Sequence, residues 1–597
     1  LCLCHDIKGN LSAVSFALKT LEGQTFNHMV DRLAEKQWQH GERVLLIAIL
    51  VLAGWLRLYH LSQSPPGMNV DEAAIAWNSH CLLKTGMDQH GIRWPIFDSE
   101  GFGQGLTTLS LYLLIPFQAV AGFTATAARL PSAFGGILTV FLLYMVGSRL
   151  FDRRTGLLAA ALLALNPWHL QQSRWGHMGA LFPLLAIAPL ALMLWARLPF
   201  DDNSQQPRVG RAAVAGLVTG LCSYGYYAAR LWLPIFYASA ILVNLSTWWK
   251  LVKTRQGMLA VGALLLTLAL TFGPLVWASA SFPLLRERAG AEWVWSQSDT
   301  LDVKIEKVLS RYPGHFGPDF LFQQGDQDIA ISPPKGYGLF HWYVLPMLIA
   351  GLVYLIPQVK TSRSSRVLLT WVVLYPAADL LSEHPSMHAI RSLPGVCALT
   401  LLAAVGALFI AKWLWRLHKP IAIIALTVAV IIIFAANIRF LNAFYGEFNN
   451  EPTKYFVGHV DLLKACEWLK PRLKGKDAVF VTGVGMSHPY IYTLVGLQYD
   501  AQQWFLDQKE MVKGPLPGGA YNREYICLRY GKMHFVFDNV AEFTNLVLSE
   551  LSKDGKAHRI VFIVRPGEFP LANVISPSYQ IMDPLGYPSL LLYETNF

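Results

Sequence analysis

From Val44 onward, apolar runs alternate with short polar connections, at about 43–60, 130–149, 157–166, 178–196, 212–226, 231–249, 257–279, 338–357, 367–381, 391–411 and 420–437. About 20 predominantly apolar residues of α-helix cross a bilayer core, and a helix satisfies its own backbone there. The pattern predicts a polytopic α-helical membrane protein with about 11 transmembrane helices, the third of them short. After Asn437 the pattern changes. A helix near His459–Leu473, strands at Ala478–Thr482, Met533–Asp538 and Arg559–Val564, and a helix at Val540–Lys553 predict a small α/β layer. Three regions follow: a lead-in over 1–42 without clear period, a membrane domain over 43–439, and an α/β domain over 440–597.

Charge orients the spans. Arg32, Lys36 and Arg43 precede the first run; Arg149, Arg153 and Arg154 follow the second; Arg197, Arg208 and Arg211 follow the fourth. The same sign returns at Lys250, Lys253 and Arg255, at Lys360, Arg363 and Arg366, and at Lys412, Arg416 and Lys419. The positive-inside rule assigns these connections and the lead-in to the cytoplasm. Leu106–Gly122 is apolar enough to resemble a span, yet counting it as one would invert every later loop. It is therefore expected outside: Thr107, Thr108, Ser110, Gln118 and the mid-run Pro116 suit a juxtamembrane helix lying along the outer face. Residues 60–129 and 281–337 become long external loops, and the α/β domain is external too.

Composition agrees with a membrane chain: 597 residues, 53% hydrophobic and 15% charged, with mean hydropathy +0.36. The net charge of +10 sits in the orienting clusters, so no nucleic-acid partner is implied. Seven cysteines show no CxxC and no zinc spacing, and Cys466 with Cys527 is the pair available for an external disulfide. Thr482-Gly483-Val484-Gly485 is too short for a dinucleotide fingerprint. Asp326-Gln327-Asp328 reads as a solvated loop.

Topology gathers a set of polar residues on the external face. Asp71 and Glu72 follow the first span within Pro65-Pro66-Gly67-Met68-Asn69-Val70-Asp71-Glu72. An acidic pair beside lipid is a candidate for chemistry, and equally for a cap and first-turn acid of the helix that starts there. His169, Arg174, Tyr226, Tyr227, Arg230, Arg286, Glu383 and Arg391 lie at the outer mouths of other spans. Converging guanidinium groups suit a phosphate at membrane depth; each taken singly also suits snorkelling to headgroups.

The order of motifs then becomes informative. Asp71-Glu72 after the first span is followed by Ala128-Arg129-Leu130-Pro131-Ser132-Ala133-Phe134-Gly135-Gly136, then by Arg149-Leu150-Phe151-Asp152-Arg153-Arg154-Thr155-Gly156. Asn166-Pro167-Trp168-His169, Tyr226-Tyr227-Ala228-Ala229-Arg230 and Glu383 to Arg391 come next. This succession resembles the GT-C glycosyltransferases of the protein-mannosyltransferase and aminoarabinose-transferase type, over roughly 45–440. The resemblance implies a membrane enzyme that takes a sugar from a polyprenyl-phosphate donor and delivers it to an extracytoplasmic acceptor, with the catalytic Asp in the first external loop. Two departures matter. The first loop reads Gly101-Phe102-Gly103-Gln104-Gly105 where aminoarabinose transferases carry Lys-Pro-Pro, and no Trp-Trp-Asp motif of oligosaccharyltransferases occurs.

Transfer from a monophosphate needs a base for the acceptor proton and cations for the departing phosphate. Asp71 is the expected base, acting with inversion, and Glu72 a helper or helix-start acid. Arg391, with Arg174 and Arg230, is expected on the phosphate. Tyr226, Tyr227, His169, Glu383 and Arg286 are further pocket candidates. No cofactor or metal is implied, since arginines suffice to neutralise a monophosphate. The alternative is a transporter or flippase of lipid-linked sugars, for which polar groups at the midplane and inverted repeats are expected; the sequence shows neither.

Overall fold

The computed structural model describes residues 40–596, apart from 103–104, 204, 282–293, 297, 329–330, 383–386, 516–524, 538–556 and 570–574. Residues 40–52 form a helical unit by themselves, and residues 53–597 fall into a second unit. Helix α1 runs over 40–58. It is followed by α2 (Val70–Thr85), a hairpin of β1 (Asp98–Glu100) and β2 (Gly105–Thr107), and α3 (Thr108–Ala121). Next come α4 (Ala125–Leu150), α5 (Arg153–Leu165), α6 (Pro167–Gln172), α7 (Phe182–Trp195), α8 (Val209–Cys222), α9 (Tyr227–Leu242), α10 (Leu245–Val252) and α11 (Arg255–Ser281). Helices Val344–Leu355, Arg363–Leu374, Pro394–Leu417 and Lys419–Tyr445 complete the helical part.

A helix stands at each predicted apolar run, but the count of eleven spans does not carry over. Among the described residues five helices are long and apolar enough to cross a membrane, or six if α9 and α10, bent by 82° at their junction, form one. The 231–249 run is thus a broken element. Hydropathy alone does not reveal the break, because Val243 and Asn244 leave the run apolar. Arg255–Ser281 and Lys419–Tyr445 keep most of their apolar surface uncovered, with Leu266 and Ile431 both about 60% exposed. Such helices are stable where the solvent is lipid.

Helix α3 has 14 residues, about 21 Å at 1.5 Å per residue, short of a ~30 Å hydrocarbon core. Its polar residues point inward. Gln118 donates to the Ala76 carbonyl, Ser79 of α2 donates to the Leu111 carbonyl, and Thr107 and Ser110 both bond the Gly225 carbonyl. The apolar Leu113 and Val120 are exposed instead. The reason is packing: Ala76 of α2 and Gly225, just before α9, supply backbone acceptors that water would otherwise supply.

The terminal domain is a seven-stranded mixed sheet, ordered β4-β5-β6-β3-β7-β9-β8. β3 (Ala478–Thr482), β6 (Met533–Val536) and β7 (Arg559–Val564) lie parallel at its centre, as their apolar runs predict. Antiparallel β4 (Val512–Pro515), β5 (Tyr525–Tyr530), β8 (Tyr579–Met582) and β9 (Pro588–Asn596) flank them and were not expected. The predicted helix Val540–Lys553 lies outside the described residues. Cys466, on helix Val460–Leu469, and Cys527, on β5, are both buried and free, so the pairing the sequence allowed is not made. One apolar cluster runs from α2 through Tyr490 and Trp504 into the sheet. Trp77 meets Trp504 edge-on at 5.9 Å, and the Trp504 indole donates to the Gln89 carbonyl. Helix α2 is therefore the joint between membrane helices and sheet.

Candidate active site

The path from α1 to α2 is held by two buried arginines. Arg129, one turn into α4, donates through Nη1 to the carbonyls of Leu61 and Pro65 and through Nη2 to that of Gly67. Its Nε and Nη2 also reach the Glu72 carboxylate at 2.7 and 3.2 Å. Arg174 donates to the carbonyls of Ser64, Leu56, Arg57, Tyr59 and His60. A guanidinium offers five N–H donors and no acceptor, so these contacts engage Arg174 fully within the fold. The sequence placed Arg174 on the donor phosphate; the geometry makes it a clamp on the chain that leads to the site. His169 is a similar case. It is buried in α6, with Nδ1 2.8 Å from Arg57 Nη2. Because arginine can only donate, Nδ1 is the acceptor there and the ring proton resides on Nε2.

The two acidic residues now separate. Asn69 is the N-cap of α2: its side chain accepts from the Asp71 amide, while Glu72 reaches back to the Asn69 amide and closes a capping box. Glu72 also accepts from Gly176 N at 3.0 Å and pairs with Arg129. It is 1% exposed, and its role is structural as far as these contacts go. Asp71 is neither the cap nor the box residue, which removes half of the capping explanation; the favourable first-turn position remains. Its carboxylate is half-buried and lies close enough to the buried Tyr492 to act on that phenol electrostatically.

A small cleft of about 20 Å³ opens beside this helix start. Pro65, Asn69, Glu72, Arg129, Phe448 and Lys454 are among the residues that line it, with Trp175 and Gly458. The Met68 amide donates to the Gly458 carbonyl. Lys454 was missed by sequence reasoning because Glu451-Pro452-Thr453-Lys454 reads as the polar start of a soluble domain. Its ammonium donates to Ser332 O and Oγ at 3.0 and 2.7 Å and lies 5.0 Å from the Phe448 ring centre. Burial pushes its pKa down to about 8.

Arg391 sits on a segment held by two buried aspartates. Asp379 accepts from the His388 amide at 3.0 Å and from His315 Nε2 at 2.7 Å. Asp326 accepts from the Ala389 amide and, at 2.9 Å, from the Asp328 amide; His388 Nδ1 stands 3.6 Å away. Asp326 is 1% exposed, so the solvated-loop reading of Asp326-Gln327-Asp328 is corrected. Its local Asp-x-Asp pattern carried no hint of the Ala389 amide, 63 residues on. Burial raises its pKa to about 7. The neighbouring Ile390 packs with Trp175, Ile331 and Tyr226. Trp175 thereby belongs both to the Glu72–Lys454 cleft and to the cluster that carries Arg391.

Arg230 and Tyr227 form a third group. Arg230 holds Asp98 through Nη2 at 2.7 Å and Nη1 at 3.3 Å, Tyr227 donates to the same carboxylate at 2.7 Å, and the guanidinium lies 4.4 Å over the Tyr227 ring. This ties the β1–β2 hairpin to the start of α9. Arg230 therefore enters the site already paired with a carboxylate, and Tyr226 borders it by packing on Phe182 at 5.3 Å. Glu383 and Arg286 lie outside the described residues. Among the described residues no group of three or more His, Cys, Asp or Glu is arranged to hold a metal ion.

Residues 107–277 match the family described as dolichyl-phosphate-mannose-protein mannosyltransferase. The fold is similar to that of ArnT from Cupriavidus metallidurans bound to undecaprenyl phosphate, with 14% identity over 93% of this chain and 98% of that one and a TM-score of 0.50. An oligosaccharyltransferase from Archaeoglobus fulgidus, tethered with an acceptor peptide, is matched at 12% identity over 92% of this chain and 74% of that one, with a TM-score of 0.48. No curated protein matches by sequence. The chain has the GT-C glycosyltransferase fold, and the resemblance read from its motifs is borne out.

Proposed function

We propose that the protein transfers a sugar from a polyprenyl-phosphate donor to an acceptor on the extracytoplasmic face, with inversion and with Asp71 as general base. The observation that carries this reading is the placement of Asp71 at the start of α2. Asn69 and Glu72 form the capping box, and Asp71 stands beside them, half-buried, on a helix start that adjoins the cleft. Base chemistry needs a carboxylate that can accept a proton near bound acceptor. The cations sit on other elements, Arg391 on the segment held by Asp326 and Asp379 and Lys454 after the last membrane helix, where a leaving phosphate can be met. The match to a mannosyltransferase family over 107–277 and the likeness to ArnT, whose structure holds undecaprenyl phosphate, support a lipid-linked donor. Arginine and lysine suffice to neutralise a monophosphate, so no metal is invoked. The sheet domain, joined to α2 by the Trp77–Trp504 contact, is proposed to shape acceptor choice.

The test is Asp71→Asn, assayed for transfer from a short-chain polyprenyl-phosphate sugar in nanodiscs, with donor binding measured separately. Turnover should fall by about 10² to 10⁴ with donor affinity nearly unchanged. Near-parental turnover would move the base elsewhere.

A further inference from the structure

The far end of α4 carries a second cationic assembly. α4 is 26 residues long, so its two ends are about 39 Å apart and reach opposite faces of a bilayer. There a cavity of about 370 Å³, open to the outside, lies between the last turns of α4 and α7 and the first turns of α5 and α8. Arg149, Arg153, Arg197 and Arg211 all line it, and among the described residues no carboxylate does. Arg149 is paired with Asp201 at 2.8 Å, whereas Arg211 is pressed by the like charges of Arg197 and Arg208. Arg211 lies 4.3 Å over the ring of Trp195 and donates to its carbonyl.

The backbone at Arg197 adds an independent sign. α7 ends in a Schellman motif: the Arg197 amide donates to Leu194 O and the Leu198 amide to Met193 O. The residue after the cap then adopts the left-handed conformation, φ +63° for Arg197, where glycine is the ordinary occupant. A long cation is thus held in a backbone conformation that disfavours it, at the rim of a cavity where cations already repel one another. Such local strain points to function at the site that bears it. Leu194 and Trp195 give the same cavity an apolar wall on the membrane side.

We propose that this cavity binds the phosphate headgroup of an anionic membrane phospholipid, with the guanidinium groups on the phosphodiester and an acyl chain along Leu194 and Trp195. Basic pockets between helices at the membrane surface suit this chemistry, and forked N–H donors match phosphate oxygens. The site is separate from the donor cleft and needs no sugar.

Native mass spectrometry of the delipidated full chain, titrated with phosphatidylglycerol, phosphatidylcholine or inorganic phosphate, tests it. Phosphatidylglycerol should be retained about tenfold better than phosphatidylcholine, and inorganic phosphate should not displace it. Arg197→Gly removes one cation and relieves the backbone, so thermal stability should not fall while phosphatidylglycerol affinity drops about tenfold. If that variant does lose stability, Arg211→Gln, in the first turn of α8, supplies the same readout. Equal retention of the two lipids, unchanged retention in the variants, or displacement by inorganic phosphate would each overturn the proposal.

Discussion

Two segments lead to the candidate site, and each is fixed by buried charge of opposite sign. Between α1 and α2, Arg129 and Arg174 hold the chain by its carbonyls. Before helix Pro394–Leu417, Asp326 and Asp379 hold the chain by the amides of Ala389 and His388. A clamp that donates delivers an acidic helix start, and a clamp that accepts delivers a cation. The difference teaches that the charged residues most visible at the span ends need not be the ones that meet substrate. Arg174 and Asp379 are scaffolding; on the proposed reading, Asp71 and Arg391 are what the scaffolding presents.

The strongest way to break this comparison is to remove a clamp. Arg129→Met leaves the Glu72 carboxylate, 2% exposed in its side chain, buried without its counter-charge. Losing one partner of a buried pair costs about 3–5 kcal/mol. The expected outcome is a large drop in thermal stability in detergent and poor recovery of folded protein. A variant with parental melting behaviour but lost transfer would instead make Arg129 a substrate contact. Arg391→Ala should do the opposite. It should leave melting nearly unchanged and weaken donor-lipid binding by about tenfold or more, the loss of one charge-assisted contact of about 1.5–3 kcal/mol. Unchanged donor affinity would assign Arg391 to the membrane interface.

Much of the helical part was legible because apolar length is a local signal. A helix stands at every predicted run, and β3, β6 and β7 were found for the same reason. The break between α9 and α10 and the four flanking strands were not legible, since they depend on packing partners rather than on hydropathy. At the site, the sequence supplied Asp71, Glu72, Arg230, Tyr226, Tyr227 and Arg391 as candidates through their position beside spans. It could not distinguish Arg174, bonded to five carbonyls, from Arg391, because both are arginines at a helix mouth. Nor could it find Asp326 or Lys454, whose significance comes from burial against residues far along the chain. The signal available for Lys454 was a lone cation directly after the last apolar helix and before the sheet.

The smallest expected effect concerns that lysine, and it sharpens the comparison because Lys454 is a cation on the cleft wall rather than in a clamp. Desolvation lowers its pKa from 10.5 to about 8. The ammonium is therefore intact at pH 7 and is lost in the folded protein as pH rises through about 8, while an unfolded lysine holds its proton to about 10.4. In stability the sign is the reverse of a salt-bridged lysine. The unfolded chain binds more protons between about pH 8 and 10.4, so this group's contribution to folding becomes more favourable as pH rises through that window. In function the sign is simple: a phosphate that uses Lys454 is held less well as the charge disappears. Donor affinity should fall by a factor of about two to five between pH 7 and pH 9, matching a contact of about 0.5–1 kcal/mol. Lys454→Gln should bind the donor at pH 7 as weakly as the parent does at pH 9, and its affinity should be flat across the range. Titration of binding in nanodiscs, with each protein followed over the same pH series, reads both outcomes. A pH dependence that persists in the glutamine variant would place the titrating group elsewhere, with Asp326, raised to about 7, the next to replace.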